Sequence, residues 1–267
     1  MAEPFNPFAR LIVTFNPEGG TKVVWVMNER FRDPLPHTYT LQVSLSSTPT
    51  ADDYEDVGLP VSNAFFAVDD ERRIVSKSMD VHYRVKLVTP NGTYYSPTAS
   101  GLTYLNKREW LHARDQIRQT KKMIRKYTGC YEGFLLKRKR FGVACTRCLD
   151  PVSQEVRDSK CSICRGTRYV AGYFAMVPLD MELGQEQTSE RLEEQAGMTK
   201  TLAIQAKCAA DIILNTGDVF VSKRSGRRWF IEISQTVEYR GYPTKYELTI
   251  RLLPFSDIVY SIPIEGS

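Results

Sequence analysis

The sequence predicts a mainly β protein: an N-terminal β-sandwich and a C-terminal small β-barrel, separated by a basic α-helix and a four-cysteine element. Three observations carry this. Short runs rich in β-branched and aromatic residues, bounded by Gly, Pro, Asn and Asp, fill both ends of the chain. One central stretch changes to a three-and-four residue period, and two CxxC pairs follow it. The 267 residues suit about two domains with a linking region. The expected segments are 1–102, 103–142, 143–168 and 169–267.

The N-terminal strands come first. Arg10–Phe15, Lys22–Met27 and His37–Ser44 are apolar or alternating, with Asn16-Pro17-Glu18-Gly19-Gly20 and Asp33-Pro34 as breakers. Ala64–Val68, the acidic turn Asp69-Asp70-Glu71, Val81–Thr89 and Thr93–Ser96 follow, the last two joined across Asn91-Gly92, a strong hairpin signal. Asp52-Asp53 and Asp69-Asp70 read as solvated turns, and His82, on the face opposite Tyr83, reads as exposed.

From Asn106 the period changes. Asn106 and Glu109 form a capping-box-like start, and Trp110, Ala113, Ile117, Thr120, Ile124 and Tyr127 lay one seam along about twenty helical residues that Gly129 stops. The other faces carry Lys107, Arg108, Arg114, Arg118, Lys121, Lys122, Arg125 and Lys126. Four consecutive cations, Lys137, Arg138, Lys139 and Arg140, come after Gly133, and the run reads as exposed. The charge is lopsided: residues 101–170 hold 17 Lys/Arg against 6 Asp/Glu, whereas the flanks hold 9 against 12 and 10 against 13. Such a patch suits phosphate contact with nucleic acid, an acidic protein partner, or a plain solvated face.

Cys145, Cys148, Cys161 and Cys164 form two CxxC pairs with twelve residues between them. Each pair makes a knuckle with both thiolates on one side. Two facing knuckles give a tetrahedral site suited to structural Zn²⁺ at ~2.3 Å per bond, with no position left for a catalytic water. A redox CxxC stands alone beside a βαβ unit, and an Fe–S cluster uses other spacings. Gly166 suits a left-handed position, and Asp150-Pro151 leads out of the first knuckle. Cys130 and Cys208 read as buried thiols.

The C-terminal strands are Tyr169–Pro178, Thr199–Lys207 (Leu202, Ile204 and Ala206 on one face, Thr201, Gln205 and Lys207 on the other), Val219–Ser222, Trp229–Ile233, Tyr246–Leu253 and Ile258–Ile264. Glu186–Gly197 reads as a polar loop or short surface helix. Six short strands with hairpin turns predict a small barrel.

Two resemblances join this reading. Val81–Val88, Asn91-Gly92 and Tyr95-Ser96-Pro97 resemble the last hairpin of a fibronectin type III domain, over about ninety residues. That likeness implies a tyrosine corner at Tyr83 and a core Trp at Trp25. The order Thr216-Gly217-Asp218-Val219, Arg228–Ile231, Thr249–Leu253 and Asp257–Pro263 is similar to small β-barrel neck proteins of tailed bacteriophages, the connector or head-closure type, over about fifty residues. The cysteine element with Tyr169-Val-Ala-Gly-Tyr173 is similar to zinc-bearing virion proteins. These likenesses imply a non-enzymatic virion component, assembled in the host bacterial cytoplasm. It would lie in a ring of its own copies between portal or adaptor and tail proteins, with DNA a possible contact in the channel. The N-terminal sandwich departs from the smallest connectors and leaves the place in the virion open among neck, collar and tail.

The competing reading is a zinc-ribbon nucleic-acid-binding protein using 106–168. GxGxxG, GxxxxGK[ST], GxSxG and HExxH are all missing from the sequence, and His37, His82 and His112 have no partner at ligand spacing. No apolar run approaches the ~18 residues of a membrane span, so no membrane contact is expected. The opening residues lack a basic-then-apolar signal, which sets the expectation of a reducing compartment.

Overall fold

Alternating β-branched and aromatic residues place the N-terminal strands in two antiparallel sheets. The computed structural model describes residues 5–15, 20–46, 48–71, 81–100, 107–150, 155–184 and 203–264. The first sheet has the order β1-β2-β5, from β1 (Phe8–Phe15), β2 (Thr21–Met27) and β5 (Phe66–Asp69). The second sheet orders β4 (Glu55–Ser62), β3 (Thr38–Ser44), β6 (His82–Thr89) and β7 (Gly92–Tyr95) side by side, with β8 (Ala99–Ser100) also on β6. Trp25 of the first sheet stacks on Tyr39 of the second, with ring centroids 4.9 Å apart. Val23, Leu41, Tyr83, Val85 and Leu87 fill the same core. The β6–β7 hairpin forms across Asn91-Gly92 as expected.

Three readings of this region change. β4 carries no apolar alternation and lies nearly all exposed as an edge strand, which is why Pro60 is tolerated there. Asp69 is not a solvated turn residue: it is buried and accepts a 2.9 Å hydrogen bond from the Tyr83 hydroxyl. His82 is half-buried.

Helix α1 (Lys107–Tyr127) buries Trp110, Ala113, Ile117 and Ile124. Tyr127 is 69% exposed, so the seam ends at Ile124. Gly129, at φ +77°, takes the left-handed step after the helix.

The C-terminal region contains a closed six-stranded antiparallel barrel in the order β10-β11-β14-β13-β12-β9. Its strands are β9 (Cys130–Leu136), β10 (Val177–Leu183), β11 (Ala203–Ala209), β12 (Val219–Ser222), β13 (Arg228–Tyr239) and β14 (Tyr242–Leu252). Leu135, Met181, Ile204, Phe220, Ile231 and Ile250 are buried to 3% or less and fill the interior, as a barrel this narrow requires. The six strands are not the six expected. Ile258–Ser261 is a 3-10 turn capped by the Asp257 side chain, and the barrel takes β9 in its place. Within Tyr169–Pro178 only the end joins a strand, at Val177.

The chain divides into two compact units: 1–114 with 139–174, and 115–138 with 175–267. The cysteine element thus belongs with the sandwich, although in sequence it lies between β9 and β10, which pair directly from Leu135↔Val177 to Cys130↔Glu182. The expected turn at Asn16–Gly19, the Asn106 cap, Pro151, the Glu186–Gly197 loop, Thr201 and Leu202 lie outside the described residues.

Candidate metal centre

Two tight turns place the four cysteines. In the first, the Leu149 amide donates to the Cys145 carbonyl (3.2 Å), and the Arg157 amide donates to the Cys148 carbonyl (2.8 Å). In the second, the Arg165 amide reaches the Cys161 carbonyl (2.7 Å) and the Thr167 amide the Cys164 carbonyl (3.0 Å). Arg165 and Gly166 both sit at positive φ, +52° and +74°, and a Cβ on Gly166 would stand 3.0 Å from the Ser159 carbonyl oxygen. That is the left-handed position expected of this glycine. A bridge between Ala144 and Tyr169 ties the two ends of the element together.

The knuckles face each other. Sγ of Cys145 lies 3.8 Å from Sγ of Cys161, Sγ of Cys148 lies 3.1 Å from Sγ of Cys164, and all four fall within 4.8 Å of one another. A tetrahedron with ~2.3 Å metal–sulfur bonds has edges of about 3.8 Å, so the donor set fits one ion. Each cysteine is exposed by 2% or less, and none is in a disulfide. Backbone hydrogen bonding from Cys164, and then from Ile163, holds the Cys161 thiol down to about 7, while burial pushes Cys148 and Cys164 up. Four buried sulfurs at this spacing could hold a metal ion. Among the described residues the cluster consists of these four thiols alone.

No protein-family model, curated protein or solved structure matches the chain.

The element is anchored within its own unit by aromatic contact. Phe141 packs 6.2 Å from Phe31, Phe174 packs 5.3 Å from Phe65, and the Gly142 amide donates to the Phe31 carbonyl (3.0 Å). Sequence reasoning missed these two phenylalanines as anchors, although each sits just outside the cysteine span. It also passed over Arg147, Arg157, Lys160 and Arg168, exposed cations of the cysteine element itself. Their field suits a tetrathiolate centre that carries net negative charge.

The candidate contact cations are not one exposed surface. Lys121 pairs with Asp211 (2.9 Å) and Arg125 with Asp180 (2.5 Å). Lys137 is buried, bonding Asp218 and the Ile213 carbonyl at 2.8 Å each, while the Arg138 amide donates to the other Asp218 oxygen (3.0 Å). Lys139 is 7% exposed, with its amine 5.4 Å from the Phe174 ring centroid. The expectation of an exposed four-cation run therefore fails at Lys137 and Lys139. Arg114, Arg118 and Arg138 are half-buried, and Lys122, Lys126 and Arg140 are exposed. Cys208 is fully buried as expected, and Cys130 half-buried. Among the described residues no helix is long and apolar enough to cross a membrane.

Proposed function

We propose that this chain is a structural subunit of a tailed-bacteriophage virion, repeated as a ring at the head–tail neck, with Zn²⁺ as a structural staple on its cysteine element. The observation that carries the reading is the closed barrel unit with large apolar side chains left outside its core: Met123, Tyr127, Tyr131, Ile233 and Val237 are all 40% exposed or more. Apolar side chains in such number suit contact with neighbours, and heterologous contacts that return on themselves close a ring. The barrel interior is filled, so its outer surface and the β13–β14 hairpin are what it offers to a partner.

The sandwich reading extends to a fibronectin type III-like domain, which the sheet orders β1-β2-β5 and β4-β3-β6-β7 support, together with core Trp25 and the Tyr83–Asp69 hydrogen bond. Such a domain would serve as a spacer or docking surface toward portal, adaptor or tail proteins. The zinc-ribbon nucleic-acid reading retains support from the exposed Arg147, Lys160 and Arg168, whereas Arg157 is ion-paired with Asp150. That reading loses support where Lys121, Arg125 and Lys137 are engaged by carboxylates.

The deciding experiment is density-gradient sedimentation of the native lysate after nuclease and high-salt washing. Stoichiometric co-sedimentation with a large particle is the expected result. Release into light fractions by nuclease or salt would overturn the virion reading in favour of phosphate contact. Elemental analysis of the same protein should return one zinc per chain.

A further inference from the structure

Within the first unit lies a cavity of about 150 Å³. Its apolar wall includes Phe141, Phe174, Val170 and Leu35, and its polar contributors include Lys139, Tyr39 and His37. Leu35 and Val143, both on its wall, are 48% and 36% exposed, which gives solutes a route in.

Two of the polar groups make no side-chain hydrogen bond among the described residues. Lys139 is 7% exposed and Tyr39 is 1% exposed, yet neither the Lys139 amine nor the Tyr39 hydroxyl is hydrogen-bonded to another described residue. Both groups therefore keep donor capacity for a solute that enters the cavity. The Asp33 carboxylate bonds elsewhere, one of its oxygens accepting from Thr89 (2.7 Å) and Tyr94 (3.2 Å). His37 is committed too, its Nε2 lying 3.0 Å from the Asp33 carbonyl oxygen, and burial holds the imidazole below its ordinary value and so uncharged at neutral pH. Lys139, itself pushed down to about 8 by burial, remains mostly protonated at neutral pH and is the cation among these groups.

We propose that this cavity binds a small carboxylate carried on one ring or an equally compact apolar body, with Lys139 and Tyr39 donating to the carboxylate and Phe141 and Phe174 flanking the ring. Both free groups donate, which selects an anionic acceptor over a cation. The volume matches: a dry apolar cavity of about 150 Å³ is enough to take up one benzene ring. Nothing in this site depends on the assembly role, and the four cysteines are not part of it.

The test is calorimetric titration of the intact chain with benzoate, with benzyl alcohol and benzamidine as the neutral and cationic counterparts. Benzoate should bind saturably, benzyl alcohol at least about tenfold more weakly, and benzamidine not at all. Lys139→Met should weaken benzoate roughly 10- to 100-fold, as expected for a charge-assisted hydrogen bond, and Tyr39→Phe roughly 2- to 10-fold. The phenylalanine variant keeps the ring on Trp25, so it tests the site even if the lysine variant folds poorly. Equal affinity for benzoate and benzyl alcohol, benzoate binding that neither variant changes, or no saturable benzoate binding would each overturn the proposal.

Discussion

Lys137 and Lys139 stand two residues apart and meet opposite environments. Lys137 sits against Asp218, a carboxylate with no exposed surface, which also accepts from the Arg138 and Asn215 amides. Removing the cation leaves that carboxylate buried and uncompensated. Lys137→Ala should therefore lower stability by ~3–5 kcal/mol in urea denaturation, while Lys122→Glu on the exposed helix face should change it little. Among the described residues Lys139 pairs with no carboxylate. Its amine is held at about 8, below the ordinary 10.5, so between those values the unfolded chain binds the extra proton and stability rises with pH. Below about 8 the full burial penalty applies. Lys139→Met should raise the melting temperature at pH 7, by the equivalent of about 1–3 kcal/mol, and this advantage should shrink as pH approaches 10.5. A variant that melts lower than the parent at pH 7 would contradict the burial. None of this was legible in Lys-Arg-Lys-Arg read alone. The partner of Lys137 lies 81 residues downstream, and four adjacent cations give no periodic signal of which point inward.

At the level of elements, local chemistry was readable and long-range pairing was not. The helix shows in its three-and-four period, and the metal centre shows because each knuckle needs only four consecutive residues. β9 was hidden because its strand signal is short and runs straight into the cation run; its neighbours, β10 and β12, are supplied by later sequence. β4 was hidden because an exposed edge strand needs no apolar alternation. Gly133 marks how closely β9 and β12 approach: a Cβ there would collide with the Val221 carbonyl and the Phe220 ring. Gly133→Ala should cost ~1–3 kcal/mol of barrel stability, measured by chemical denaturation, through strain alone. Among the described residues the cysteine element has almost no core beyond its thiols, with Val156 the one apolar residue packed on them. Chelation, or Cys148→Ser, should open the chain to trypsin at Arg157 while the far-UV signal of the β-sheets persists, because the sheets have cores of their own. Unchanged cleavage at Arg157 after chelation would mean that the ion does not hold this segment.

On the scale of the whole molecule, the cysteine element is an insertion between two strands that already pair. Leu135 faces Val177 across β9 and β10, so the chain leaves and re-enters the barrel at adjacent points. Replacing 139–174 by a short turn should leave a barrel of 115–138 and 175–267 that melts cooperatively; an unfolded product would show that the insertion is needed for closure. The mainly β reading of the sequence holds. Sequence alone does not show that the middle is shared out, the cysteine element grouping with the sandwich and β9 with the barrel, since that grouping is made by contacts distant in sequence. The chain passes from one unit to the other three times, after 114, 138 and 174. A single backbone cut at 138, for example, yields two fragments, each of which carries pieces of both units. The first fragment holds β9 and the second the other five strands of the barrel, so the two cannot part without opening the barrel, and a chain nicked there stays in one piece.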